Sequence, residues 1–461
     1  MTTFDDTICA LSSAPGRAGV SVVRVSGPLA RAALEGLAGP LPQPRRATLR
    51  TIREPLTGQE IDRAIILLYA GPSSFTGEDV VEILLHGGRA VVASVLSALR
   101  GLGCRLSEPG EFARRAFENG KIDLTEAEGM ADLIDAETEA QRRQAVAQAG
   151  GVLSRLYESW RGELLDAMAL TEAGIDFSDE EDVAADAADR AREIVVALTA
   201  KLAQHLSDGR RGEILREGFR VVLAGAPNVG KSSLLNALAR RDAAIVSPVA
   251  GTTRDVIEVR LDLDGLPVIV SDTAGIREAQ SDVEREGIRR TIERGRAADL
   301  VLWVVEAAGV GAVLPDELVE AAATIVLVAN KCDLLKRQDK ANVGRAAGGL
   351  PSMRRGLLPL RVVDVSTLTG EGLKDLVDVV ADIARETIAP NDGPVITQAR
   401  HREALEDCAH CLQDYLAQDL LRQEVAAEDL RRAAQSLGRI TGRVDAEEVL
   451  GQVFSRFCIG K

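Results

Sequence analysis

Gly225-Ala226-Pro227-Asn228-Val229-Gly230-Lys231-Ser232 decides the fold of this chain. It fits the pattern G-x-x-x-x-G-K-[ST]. It follows the apolar run Phe219–Ala224 and opens a segment of helical composition, the strand–loop–helix setting that the pattern requires. Glycines let backbone N–H groups turn inward around phosphate oxygens, and the start of the next helix adds the positive end of its dipole. Lys231 is expected to reach β- and γ-phosphates and Ser232 to bind magnesium. Asn228, Val229, Gly230 and Ser233 complete the loop.

Further motifs follow in an order that chance does not readily produce. Gly251-Thr252-Thr253-Arg254-Asp255 supplies a hydroxyl, Thr253, that can complete a magnesium shell and sense a γ-phosphate. Asp272-Thr273-Ala274-Gly275 follows an apolar run; its carboxylate can hold magnesium through water, and the Gly275 N–H can meet the γ-phosphate. Asn330-Lys331-Cys332-Asp333 also follows an apolar run, and the carboxylate of Asp333 can accept two hydrogen bonds from the guanine N1–H and amine. Adenine offers no such pair, so this motif selects GTP over ATP. Ser366-Thr367-Leu368 ends the next expected strand, where a loop would touch the guanine carbonyl. Ile276 stands where related enzymes use a glutamine to orient water, and Ile cannot do this. The nearby carboxylates are Glu278, Asp282, Glu284 and Glu286, and the sequence alone does not choose among them.

Outward from the loop, Val268–Ser271, Leu300–Val305, Ile325–Ala329 and Arg361–Val365 are short apolar runs separated by helical segments. That alternation predicts a mostly parallel sheet covered by helices on both faces. Asp264-Gly265 predicts a hairpin and one antiparallel edge strand. On the N-terminal side, Val20–Val25, Ile61–Tyr69 and Val80–Leu85 read as strands and Ala90–Leu102 as a helix, a mixed α/β region over 1–120. The stretch Asp123–Ala173 has helical spacing, as do the residues up to Ser207 and those beyond the linker Pro390–Pro394. Leu430, Ala433, Leu437 and Ile440 form one apolar helix face, stopped by Gly442. The economical arrangement is an α/β domain inserted into one helical domain, because domain ends often lie close together. The expected division is 1–120, 121–215, 216–384 and 385–461.

Composition narrows the class. The chain has 461 residues, 46% of them hydrophobic, with 55 Lys and Arg against 70 Asp and Glu, a net charge of −15. That balance argues against indiscriminate nucleic-acid binding. No run approaches the roughly 18 apolar residues that mark a membrane span. The N-terminus carries no signal pattern, so a cytoplasmic location is expected. Six cysteines are spread thinly, and Cys408 and Cys411 read as helix positions on one face rather than a metal site. The acidic run Asp176–Asp182 reads as a solvated loop entering a helix, with a metal site as the other possibility.

These motifs, with Pro15-Gly16-Arg17-Ala18-Gly19, Ser74-Phe75-Thr76-Gly77-Glu78-Asp79, Gly110-Glu111-Phe112, Asp132-Leu133-Ile134-Asp135-Ala136 and the terminal Phe457-Cys458-Ile459-Gly460-Lys461, closely resemble the bacterial tRNA modification GTPase family called MnmE or TrmE. The resemblance covers nearly the whole chain. It implies α/β plus all-α architecture: an N-terminal α/β folate-binding and dimerisation domain, a discontinuous helical domain and an inserted Ras-like P-loop G domain. It implies a homodimer that works with a flavoprotein, MnmG (GidA), in a heterotetramer or larger complex. The pair would place an aminomethyl or carboxymethylaminomethyl group on C5 of the wobble uridine of certain tRNAs. The one-carbon unit would come from 5-formyltetrahydrofolate or 5,10-methylenetetrahydrofolate.

The resemblance also assigns residues. Asn228 helps to coordinate a potassium ion with ligands from Ser247-Pro248-Val249-Ala250-Gly251-Thr252, among them Ser247, Val249 and Thr252. A cation beside the β/γ bridge would stabilise charge developing in the transition state. The water-orienting glutamate falls on Glu284, which with Lys231 makes the catalytic pair. Folate binding falls on Arg24, Glu82, Lys121 and Lys461. Read from the residues alone, Arg24 and Glu82 are charges within apolar strand runs that either sit on a solvated face or serve a ligand. Cys458 is either a site thiol or a small buried hydrophobe among Phe454, Phe457 and Ile459. A rival reading is a regulatory GTPase switch in ribosome or RNA assembly. That reading leaves the folate-like segment and the terminal motif unexplained and lacks an obvious basic module.

Overall fold

The computed structural model describes residues 5–176, 181–241, 243–245, 258–272, 296–308, 324–335, 361–388, 393–418, 423–444, 447–455, 457, 459 and 460. The chain forms two compact units. One comprises Met1–Ile134, Val146–Leu202 and Ala404–Lys461, and the other Asp135–Ala145 and Ala203–Glu403.

The first unit is built on a six-stranded sheet with the order β3-β4-β5-β2-β1-β6. Its strands are β1 (Ile8–Leu11), β2 (Ala18–Ser26), β3 (Thr48–Arg53), β4 (Glu60–Tyr69), β5 (Val80–Gly87) and β6 (Arg105–Leu106). All pairings are antiparallel except β1 with β6. Alternation decides the faces. Val23, Val25, Ala64, Ile66, Leu68, Val81, Ile83 and Leu85 point to one side and are buried with Leu34, Leu37, Val95 and Leu99 of the helices Ala30–Ala38 and Arg89–Gly101. Each such aliphatic side chain contributes about 1.5–3 kcal/mol by leaving water. The intervening positions, Arg24 on β2 and Glu82 on β5, face the other side and are direct cross-strand partners. Strands β1, β3 and β6 and the helix Ala30–Ala38 escaped the sequence reading, because short or charge-interrupted runs carry too few periods to stand out.

The expected helical stretch Asp123–Ala173 is not one helix. It breaks into Leu124–Asp135, Glu139–Ala149 and Val152–Asp176. Thr138 caps the second piece, its hydroxyl accepting from the Gln141 N–H at 3.4 Å. Gly151, at φ 76°, turns the chain between the second and third. Helix Gln423–Thr441 buries Leu430, Ala433, Leu437 and Ile440 and ends at Gly442. At Gly442, with φ 81°, a Cβ would meet Leu124 Cγ at 2.7 Å, so packing and backbone both demand glycine. Cys408 and Cys411 are buried on the helix Ala399–Ala417, and burial pushes the Cys408 thiol up to about 12.

The second unit carries a six-stranded sheet with the order β12-β11-β10-β7-β9-β8. Its strands are β7 (Phe219–Ala224), β8 (Glu258–Leu263), β9 (Leu266–Asp272), β10 (Leu300–Glu306), β11 (Ile325–Asn330) and β12 (Arg361–Asp364). Every pairing is parallel except the β8–β9 hairpin. Asp264 and Gly265 form its two-residue turn with φ 55° and 84°, the doubly left-handed geometry that matches strand twist. Helices Lys231–Ala239 and Leu373–Ile388 bury Leu234, Leu235, Leu376 and Ala384 against one face. The loops after β7, β9, β11 and β12 leave the same carboxyl edge of the sheet, where open α/β folds place ligands.

Candidate functional site

After β7 the chain turns through Gly225 at φ 141°, where a Cβ would lie 2.2 Å from the Val304 carbonyl oxygen. Asn228 at φ 65° and Gly230 at φ 98° complete the loop in left-handed conformations, the backbone from which anion-binding nests are built, before the helix Lys231–Ala239 begins. Lys231 Nζ donates to the carbonyls of Gly225 and Ala226, both at 2.9 Å, so the ammonium sits over the loop. Ser232 Oγ donates to Asp272 Oδ2 at 2.7 Å. That hydroxyl–carboxylate pair, brought together from the first turn of the helix Lys231–Ala239 and the end of β9, is the hard oxygen set that suits magnesium.

A second loop is tied to the first. Asn330 is fully buried; its Nδ2 donates to the Val229 carbonyl at 2.9 Å and its Oδ1 accepts from the Thr367 N–H at 3.3 Å. Lys331, at φ 65°, donates from Nζ to the Asn228 carbonyl at 3.2 Å and to the Glu306 carboxylate. Asp333 lies in the short turn Cys332–Leu334, anchored by the buried Cys332, whose N–H donates to the Val365 carbonyl at 3.1 Å. Ser366 is buried, while Leu368 is 85% exposed beside it. The phosphate loop and the loop bearing Asp333 are thus one hydrogen-bonded object. Glu306 was missed by sequence reasoning; its only signal was an acid closing an apolar strand opposite Asn330. Ser233 sits exposed on the first turn of the helix. Ser247, Pro248, Val249, Ala250, Gly251, Thr252, Thr253, Thr273, Ala274, Gly275 and Glu284 lie outside the described residues.

The first unit holds a cavity of about 590 Å³ on the sheet face opposite its aliphatic core. Arg24 and Glu82 line it, with Arg24 Nη2 2.9 Å from Glu82 Oε1 and each side chain about one-fifth exposed (21% and 19%). The Arg24 guanidinium lies 5.7 Å from the ring centres of Phe75 and Phe112. These two charges therefore do not sit on an open solvated face. Tyr69 also lines the cavity, and burial, then the Glu82 charge and hydrogen bond, push its phenol above the usual tyrosine value. Lys121 is not in the lining: its Nζ donates to the Pro72 carbonyl at 2.9 Å. Arg45 and Tyr69 went unnoticed in the sequence, where one is a loop arginine and the other the end of a strand.

The last described residues return to this sheet. Phe457 lines the cavity, Ile459 bridges to Pro109, and Ser12 Oγ donates to the Gly460 carbonyl at 2.7 Å. At Gly460, with φ 95°, a Cβ would lie 2.2 Å from the Leu11 carbonyl oxygen, so only glycine fits the approach. Phe454 and Phe457 are buried, and Ile459 is 59% exposed. Cys458 and Lys461 lie outside the described residues, as does most of the acidic run Asp176–Asp182. Among the described residues no group of three or more His, Cys, Asp or Glu could hold a metal ion. No helix among them is long and apolar enough to cross a membrane.

Two family models match the chain: the N-terminus of GTP-binding protein TrmE over residues 7–121, and the MnmE helical domain over residues 124–458. The protein called tRNA modification GTPase MnmE of Parvibaculum lavamentivorans is 50% identical over 469 residues, covering 99% of this chain and 100% of the relative. Those of the same name from Caulobacter vibrioides and Phenylobacterium zucineum are 49% and 47% identical, each covering 99% of this chain and 100% of the relative. The architecture is accordingly an N-terminal α/β domain, a helical domain and a P-loop G domain. With both models matched and about half of its residues shared from end to end, the chain belongs to the MnmE family.

Proposed function

We propose that the protein is a GTP hydrolase that acts with a flavoprotein partner of the MnmG (GidA) type to modify C5 of the wobble uridine of certain tRNAs, adding an aminomethyl or carboxymethylaminomethyl group. The observation that carries this reading is the presence, in one chain of this family, of a phosphate loop bonded to a guanine-type loop and of a separate cavity that holds an arginine–glutamate pair among apolar side chains. Neither half alone requires RNA modification. Together they offer one site for a nucleotide and another for a second small molecule.

In the nucleotide site the loop amides and Lys231 would hold the phosphates, and Ser232 and Asp272 would hold magnesium with Thr253. Magnesium supplies charge neutralisation across the β- and γ-phosphates when bound. Asp333 would accept both donors of the guanine edge, with Ser366, Thr367 and Leu368 around the base. Asn228 would contribute to a potassium site with Ser247, Val249 and Thr252, and Glu284 would orient water. Potassium, when bound by these residues, would supply positive charge to the phosphates and would favour pairing of two G domains. The cavity would take a tetrahydrofolate, which supplies the one-carbon unit. Glu82 and Arg24 present a carboxylate and a planar donor to a pterin edge, and Lys121 and Lys461 would serve the acidic tail. The working unit is a homodimer located in the cytoplasm.

Two measurements test this reading. GTP hydrolysis should be faster in potassium than in sodium and should fall by orders of magnitude in Glu284→Ala with nucleotide binding kept. 5-Formyltetrahydrofolate should bind saturably, and Arg24→Ala should abolish it. A folded, GTP-competent protein that binds no folate would move the reading to the assembly switch.

A further inference from the structure

The Arg24–Glu82 pair neutralises itself, so the charge that a ligand meets in the first unit's cavity is set by Arg45. Arg45 lines the cavity and makes no ion pair with any described residue. Its backbone is held in the left-handed region at φ 60°, an uncommon conformation for a residue other than glycine. Its N–H donates to the Leu68 carbonyl at 2.8 Å, which pins that conformation to the end of β4. The guanidinium lies 5.5 Å from the centre of the Tyr69 ring, and one nitrogen donates to the Ser73 carbonyl. It is therefore a cation fixed at three points, with donors left over from a five-donor fork. An arginine needed only for solubility would not be stacked and tethered in this way.

We propose that Arg45 is the specificity-determining residue that receives a carboxylate of the cavity's ligand. Its planar fork matches a carboxylate in two parallel bonds, which a lysine matches less well. The assignment rests on the folate reading of the cavity and adds to it. The ring system would be recognised near Arg24 and Glu82, and Arg45 would receive one carboxylate of the acidic tail beside Lys121 and Lys461. The cavity then discriminates in favour of folates with an anionic tail over the same rings without one.

The test is binding of two ligands to the full chain: 5-formyltetrahydrofolate, and its analogue in which a simple amide replaces the glutamate. Arg45→Gln should weaken the glutamate ligand about tenfold and leave the amide within about twofold. Arg45→Lys should recover part of the loss. In the wild type the preference for the glutamate ligand should shrink as salt rises. Equal losses for both ligands, or no loss for either, would overturn the Arg45 assignment and leave the folate reading standing. A wild-type protein that binds neither would overturn both. Should Arg45→Gln fail to fold, the salt dependence of the wild-type preference and Arg45→Lys decide the matter.

Discussion

Gly230→Ala tests whether the phosphate loop and the guanine-type loop form one mechanical unit. At φ 98° an alanine is strained by about 1–3 kcal/mol. Its Cβ would also lie 2.3 Å from Asn330 Nδ2, closer than real contacts allow. Asn330 is fully buried and holds the Val229 carbonyl at 2.9 Å, so moving it leaves a buried donor and acceptor unpaired at about 1–3 kcal/mol. The sum is about 2–6 kcal/mol, against a total stability of about 5–15 kcal/mol for a domain. The second unit should still fold, with its melting midpoint lowered by roughly 8–16 °C for a loss near 4 kcal/mol. Trp303 lies in β10 of this unit and Trp160 in the other, so a Trp160→Phe background isolates the transition by fluorescence. The decisive experiment is the double variant Gly230→Ala with Asn330→Ala. Removing the amide gives the new methyl room, so the combined cost should fall short of the sum by about 1–2 kcal/mol. Guanine-nucleotide affinity should show the same non-additivity. Strictly additive costs would refute the claim that the two loops bear on each other through this contact.

Three other outcomes follow from the same geometry. Asp333→Asn should weaken GDP by about 10³-fold or more and raise affinity for xanthosine diphosphate, since an amide cannot accept both guanine donors; competition binding reads this directly. Arg402→Ala should cost about 1.5–3 kcal/mol, because it removes charge-assisted bonds of 2.6 and 2.8 Å to Asp208 and Glu213, only 9% and 3% exposed, and leaves Glu213 paired with Arg210 alone. Arg431→Ala, which opens the exposed pair with Glu172, should cost at most about 1 kcal/mol; equal losses in urea unfolding would contradict this ranking. Burial, aided by the nearby charges of Arg402 and His401 and opposed by Asp208, holds His205 below its ordinary value of 6.5. The unfolded chain therefore takes the proton first. This contribution to stability is intact above pH 6.5 and is lost as pH falls through the lower folded value. The unfolding midpoint should drop between pH 7.5 and 5.5, and drop less in His205→Gln; an identical pH slope in that variant would exclude His205 as the cause.

The parts of this fold whose signal is local can be read directly from the residues. A phosphate loop needs glycines at fixed offsets, so Gly225, Gly230, Lys231 and Ser232 are legible without a structure. Apolar runs of strand length separated by helical patterns were enough to place β7 and β9 to β12, and Asp264-Gly265 was enough for the hairpin. Helix faces such as Leu430 to Ile440 were legible for the same reason. What lacked a local signal was decided by the tertiary structure. Gly151 and Thr138 break the long helical stretch because one turns left-handed and the other caps, choices that composition does not announce. Whether Arg24 and Glu82 face water or a cavity depends on Phe75, Phe112 and Met130, which reach that face from other segments. Arg45 and Glu306 matter through partners far away in sequence, Tyr69 and Ser73 for one and Lys331 for the other. Periodicity reports which side of an element is apolar; only the folded chain decides what stands opposite a charge.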